Sequence, residues 1–181
     1  MKLLFLDTET GGLDEETTSL LSVGLAVWED HKIKNVFEVY VNEPILRVTP
    51  SALAINKIDL RKFNQISVTA EEAWKKIEQF IYKNFGLHKS NIILAGMNIK
   101  FDIGYIKKCF GKKNYNKWFS YRSIDLQSIL RFLYIKGSFS EDIAPSVKAY
   151  KYFNINNGSV DHEALKDVLC TVELFEKLLD L

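Results

Sequence analysis

Apolar and polar residues along this chain follow two different periods, and the change falls near Thr69. Before it, short apolar runs are set off by turn residues. Residues 2–9, KLLFLDTE, carry four apolar side chains up to a pair of acids, and the TGGLD segment then breaks the run. LLSVGLAVWE (20–29) and KNVFEVYV (34–41) are rich in β-branched and aromatic residues, which fit a pleated, half-buried surface. The brief DHKIK between them predicts a hairpin. Three strands therefore come first, as a meander. Pro44 and Pro50 bracket the longest expected loop.

After Thr69 the spacing becomes helical. TAEE fits a capping box, with Thr69 as N-cap and Glu72 three residues on. Ala73, Trp74, Ile77, Phe80 and Ile81 then recur on one helix face, and Gly86 supplies the stop. NIILAGM (91–97) is a continuous apolar run suited to a buried central strand. Ile103, Ile106 and Phe110 mark the next helix, WFSYRSID (118–125) a fifth strand, and LQSILRFLYI (126–135) and SVKAYKYF (146–153) two further helices. Leu165, Val168, Leu169, Val172, Phe175 and Leu179 give the last helix an apolar face. The order predicts an α/β fold: a mixed five-stranded sheet, antiparallel in its first three strands and parallel in the later ones, flanked by helices.

Composition narrows the class. At 181 residues the chain suits a single domain over 1–181 with a sizeable core, and no repeat, linker or low-complexity tract breaks it. A net charge of +1 excludes a strongly basic nucleic-acid coat, though not a local basic groove. Cys109 and Cys170 are too few for a disulfide framework and lie among apolar helix residues, which favours packing and a reducing compartment. MKLLFL imitates a signal peptide, but its apolar run stops at Asp7 and is far too short. No stretch approaches membrane-spanning length. A soluble, cytoplasmic protein without a membrane partner is expected.

The acids change this picture. Strand side chains alternate faces, so Asp7 and Glu9 point one way and Thr8 the other. Two carboxylates at the end of a buried strand form half of a cation site, although D-x-E is also common at exposed edges and turns. Asp102, in GMNIKFDIGYI, follows the central strand where the next helix begins; a first-turn acid serving the helix dipole is the plain alternative. In open α/β sheets, sites gather at the carboxyl ends of strands, and Asp7, Glu9 and Asp102 all lie at such ends. In VDHEALKD, five residues separate His162 from Asp167. On a helix that spacing leaves the two about 140° apart, so His162 must stand in the loop or at the helix start to share a site with Asp167. Taken singly, His162 is a solvated loop histidine and Asp167 a wet-face charge.

Together the three segments form a specific pattern. FLDTETGGL, MNIKFDIGYI and DHEALKDV, in this order over a three-strand-first α/β chain, resemble the motifs of the DEDDh (DnaQ-like) 3′→5′ exonucleases of the RNase H-like superfamily. RSIDLQSILR is similar to the strand-to-helix stretch that usually reads D-T-L, and SVKAYKYFNI to the short helix before the last motif. The resemblance implies a metal-dependent exonuclease that releases nucleoside 5′-monophosphates from 3′ ends of DNA or RNA by a two-metal mechanism. It implies that Asp7, Glu9, Asp102 and Asp167 hold two divalent ions, Mg²⁺ or Mn²⁺, and that His162 is the general base. Unmetallated, such carboxylates repel by about 4 kcal/mol per close pair at an effective dielectric near 20. Thr10, Gly11 and Leu13 are implied at the 3′ terminus, with Leu13 wedging against the last base, and Asn98 and Phe101 line the nucleotide pocket. The implied partner is a single-stranded nucleic-acid 3′ end, with a polymerase or a second copy of the chain as candidate protein partners.

Two positions depart from the family pattern. Met97 stands where histidine often precedes the asparagine, and Asn56-Lys57-Ile58 where members commonly read H-G-I. Neither is a proposed ligand; both bear on the nucleotide pocket. KKCFGKKNYNKWF (107–119) interleaves five lysines with aromatics, a composition that suits strand binding, but a solvated charged loop with inward aromatics is favoured. Two other readings remain: an RNase H-like nuclease that cuts internally, and a non-catalytic module that binds within a polymerase assembly. Substrates with a blocked 3′ end separate the first, and mononucleotide release on adding Mn²⁺ the second.

Overall fold

The computed structural model describes residues 1–86, 91–156 and 162–181. In chain order the elements are β1 (Lys2–Thr10), β2 (Leu20–Glu29), β3 (Lys32–Asn42), α1 (Pro50–Asn56), α2 (Leu60–Ile66), β4 (Ser67–Thr69), α3 (Ala70–Phe85), β5 (Ile92–Gly96), α4 (Ile99–Phe110), α5 (Lys112–Trp118), β6 (Phe119–Asp125), α6 (Leu126–Ile135), α7 (Ser146–Tyr152) and α8 (Ala164–Leu179). The sheet runs β4-β3-β2-β1-β5-β6. β1, β2 and β3 pair antiparallel, whereas β5 runs parallel to β1 and β6 parallel to β5.

One strand more is present than the alternation predicts. β4 is only three residues long and pairs parallel with the end of β3. Its sequence, SVT, runs straight into the α3 cap, so Thr69 ends a strand and caps a helix at once. The capping box itself is intact: Thr69 Oγ1 accepts from the Glu72 N–H, and the Thr69 N–H donates to Glu72 Oε2 at 3.1 Å. α1, α2 and α5, each of seven residues, also escape the periodicity. Two turns give an amphipathic pattern too few repeats to stand out.

Side-chain alternation splits the core into two layers on either side of the sheet. Leu4, Leu6, Val23, Leu25 and Leu94 pack with Trp74, Ile77 and Ile81 of α3 and Ile106 of α4. Leu3, Phe5, Ala26, Trp28 and Ala95 pack with Leu130 of α6, Tyr150 of α7 and Val168, Val172 and Phe175 of α8. β2 lies inside the sheet between β1 and β3 and is buried along nearly its whole length, which explains why its sequence is apolar on both faces apart from Ser22 and the terminal Glu29. Complete burial of Phe5 alone is worth about 2–3 kcal/mol.

Two features of this arrangement position a site. Parallel β1 and β5 end on the same side of the sheet, with Leu4 opposite Leu94 and Phe5 opposite Ala95. Helix α8 starts against the sheet at Gly24 of β2: a Cβ there would lie 2.3 Å from the Ala164 carbonyl oxygen. Only glycine lets the helix seat so closely. Among the described residues no helix is long and apolar enough to cross a membrane.

Candidate active site

The site grows from the end of β1. Asp7 and Glu9 share the α8 side of the sheet with Leu3 and Phe5, and Thr8 turns to the α4 side. There the Thr8 hydroxyl donates to Asp102 Oδ1 at 2.7 Å, both groups being buried. The threonine between the two acids thus reaches a third. Asp102 sits in the first turn of α4, immediately beyond the end of β5.

Asp167 arrives from the first turn of α8. Asp7 is paired in register with Gly24, the seat of that helix, so the turn is delivered directly over the acids. Glu38 of β3, opposite Gly24, accepts the Leu165 N–H at 3.2 Å and anchors the same turn. His162 stands just before α8, outside the helix, with φ 54 in the left-handed region. Glu9, His162 and Asp167 each offer a ligand atom, and these atoms lie within 4.8 Å of one another.

Crowded burial governs the protonation of this cluster. Desolvation drives the Asp7 carboxyl well above the usual range, and the charges of Asp102, Asp167 and Glu9 add to it. Burial, followed by Asp167 and Asp102, pushes Glu9 up to about 8. Asp102 is pushed up to about 7 by burial, against the opposing hydrogen bond from Thr8. Four carboxylates in one place, three of them buried and Asp7 half-buried, cannot all ionise at neutral pH without positive charge beside them. Clustered carboxylate oxygens are a donor set that suits divalent ions of the Mg²⁺ or Mn²⁺ kind. The residues fit such ions.

The acids floor a cavity of about 760 Å³. Thr10, Gly12, Leu13, Asn98 and Phe101 line it, as do Ile55 and Asn56 of α1 and Ser146 and Tyr150 of α7. Leu13 is 88% exposed. Gly11 does not line the cavity. A Cβ at Gly11 would meet the Arg47 carbonyl oxygen at 2.2 Å, while its N–H donates to Ser19 O and its carbonyl accepts from the Thr49 N–H, both at 2.7 Å. That glycine keeps the turn against its neighbouring loop. The turn is further held by Thr10 Oγ1 and Tyr105 OH, which donate to the Gly12 carbonyl at 2.7 and 2.9 Å.

A family model described as an exonuclease, RNase T, matches residues 4–175. The chain belongs to this exonuclease family. No curated protein sequence matches it significantly. Among solved structures, zinc-bound E. coli exonuclease I with single-stranded DNA shares the fold at TM-score 0.76 and 17% identity, over 99% of this chain and 43% of that one. Exonuclease I from Methylocaldum szegediense gives 0.73 and 19%, over 97% and 40%. Cell-death related nuclease 4 gives 0.70 and 17%, over 99% and 64%. The exonuclease domain described here spans about two fifths of the exonuclease I chains it matches.

Several residues around this cavity carry no sequence signal of their own. Buried Asn56 donates from Nδ2 to the Thr10 carbonyl at 3.2 Å and accepts the Ile58 N–H, tying α1 to the end of β1. Its only trace is the departure at Asn56-Lys57-Ile58. Tyr150 bonds Thr171 Oγ1 at 3.1 Å behind Asp167. The 107–119 segment is helical on both sides of Gly111 rather than a loop. Phe110, Tyr115, Trp118 and Phe119 are buried there, and Lys117 and the Trp118 indole both bond Glu78. It lies at the start of β6, the opposite end of the parallel strands from the acids. Cys109 and Cys170 pack against the two core layers, and burial pushes the Cys109 thiol up to about 12.

Proposed function

We propose that this exonuclease domain removes nucleoside 5′-monophosphates from the 3′ ends of single-stranded DNA or RNA, with two divalent ions, Mg²⁺ or Mn²⁺. The observation that carries the reading is the convergence of Asp7, Glu9, Asp102, Asp167 and His162 on one cavity from three separate stretches of the chain. Relatives of the same fold solved with single-stranded DNA support the class of substrate.

Asp7, Glu9, Asp102 and Asp167 hold the ions. Ions held there would supply a water of lowered pKa and charge stabilisation for the leaving 3′-oxygen. His162 accepts the proton as the water oxygen attacks phosphorus and the P–O3′ bond breaks; an imidazole titrates near working pH and suits that transfer. The Thr8 hydroxyl keeps one Asp102 oxygen aimed. Thr10 and Gly12 meet the terminal sugar, Leu13 packs on the last base, and Asn98 and Phe101 flank the nucleotide. An exposed apolar side chain at a cavity mouth is suited to stacking against a base.

The test is a time course on end-labelled single-stranded DNA, duplex DNA and RNA, each with a free or blocked 3′ end, in Mg²⁺ and in chelator. Mononucleotides should appear from free 3′ ends only, stop with chelator, and be absent with Asp7→Ala. Internal fragments from the blocked substrates would overturn the reading.

A further inference from the structure

We propose that Asp125 is a positioning residue for the terminal nucleotide: its carboxylate clamps the β5–α4 turn so that Asn98 is presented to the cavity. This rests on the exonuclease reading above.

Asn98, the N-cap of α4, has φ 55 and ψ 41, a left-handed conformation, and its side chain makes no cap to its own helix. Left-handed backbone costs a non-glycine residue about 1–2 kcal/mol, least for asparagine, and persists only where neighbours hold it. The holder is Asp125. It is paired in register with Gly96, the last residue of β5, so the two strand-to-helix turns lie side by side. Oδ1 of Asp125 accepts the Asn98 N–H at 2.9 Å and the Gln127 N–H at 3.2 Å, and Oδ2 accepts the Ser128 hydroxyl at 2.7 Å. One carboxylate therefore caps α6 and fixes the entry of α4 across the sheet.

Asn98, released from capping, is exposed on the cavity wall, and Gln127 of the other turn lines the same cavity. Four residues beyond Asn98, on the same helix, stands Asp102. Movement of the turn thus shifts a nucleotide contact first and a carboxylate of the cluster second. Asp125 itself does not line the cavity and acts through Asn98.

The experiment measures binding of a nucleoside 5′-monophosphate in Mg²⁺ by calorimetry, together with KM and kcat on single-stranded substrate, for four proteins. Asp125→Asn keeps an oxygen for the Asn98 N–H and an amide that can meet the Ser128 hydroxyl; it should bind within about threefold of the parent. Asp125→Ala removes the clamp and should bind mononucleotide about tenfold or more weakly, with KM raised in proportion and kcat changed less. Asp125→Glu keeps charge but displaces the oxygens by a methylene; it should behave as Asp125→Ala and carries the comparison if the alanine variant does not fold. Parent-like binding by Asp125→Ala or Asp125→Glu overturns the inference, as does an Asp125→Asn protein as defective as they are. A parent protein that releases no mononucleotide overturns the exonuclease reading itself, a distinct result.

Discussion

Chelation should turn rising pH into a destabilising force on this fold. The Glu9 carboxyl moves from 4.5 to about 8 on folding, chiefly through burial. A group with a higher pKa folded than unfolded keeps its proton longer in the folded state, so stability falls as pH climbs from the unfolded value towards the folded one. Between about pH 6 and pH 8 the Glu9 term alone removes about 2 kcal/mol. Asp7 and Asp102, raised by the same burial, act in the same direction. Divalent ions reverse the trend, because they compete with protons for these oxygens and stabilise the folded state by mass action. Urea unfolding at about pH 6, 7 and 8, in chelator and in Mg²⁺, reads both slopes. Glu9→Gln, which has no proton to lose, should flatten the chelated slope by about 2 kcal/mol over this range. A chelated parent as stable at high pH as at low, or a Glu9→Gln protein with the parent's slope, refutes the reasoning.

His162→Ala should lower turnover by about 10²–10⁴-fold while Mn²⁺ affinity, read by calorimetry, stays near the parent's; a large loss of affinity instead makes the imidazole a ligand. Gly24→Val drives a branched side chain into the Ala164 carbonyl and should cost about 2 kcal/mol or more in urea unfolding, with exonuclease activity lost beyond what the stability change explains. Lys57 closes α1 at φ 55, so Lys57→Gly should raise stability by about 1 kcal/mol, seen as a higher melting temperature.

What was legible in the sequence follows the length and repetition of each signal. β1, β2 and β3, the α3 capping box and the α8 face repeat their pattern often enough to be read directly. The three-residue β4 and the seven-residue α1, α2 and α5 do not. At the site, alternation correctly sent Asp7 and Glu9 one way and Thr8 the other, and the spacing argument that put His162 ahead of the helix agrees with where it stands. The contacts of Asn56 with Thr10 and of Asp125 with Asn98 join segments remote in sequence, and no local pattern encodes such pairings. The resemblance puts Gly11 at the 3′ terminus; the Arg47 carbonyl, 2.2 Å from where its Cβ would lie, gives that glycine a packing reason that depends on a distant loop.

The seating of α8 at Gly24 also sets a sequence of events during synthesis. Asp7 and Glu9 leave the ribosome well before Asp102, and Asp167 with its neighbouring histidine later still. Until that final helix docks, the early carboxylates stand in an unfinished cleft, so a nascent chain, or a fragment that stops short of the helix, lacks the assembled cluster.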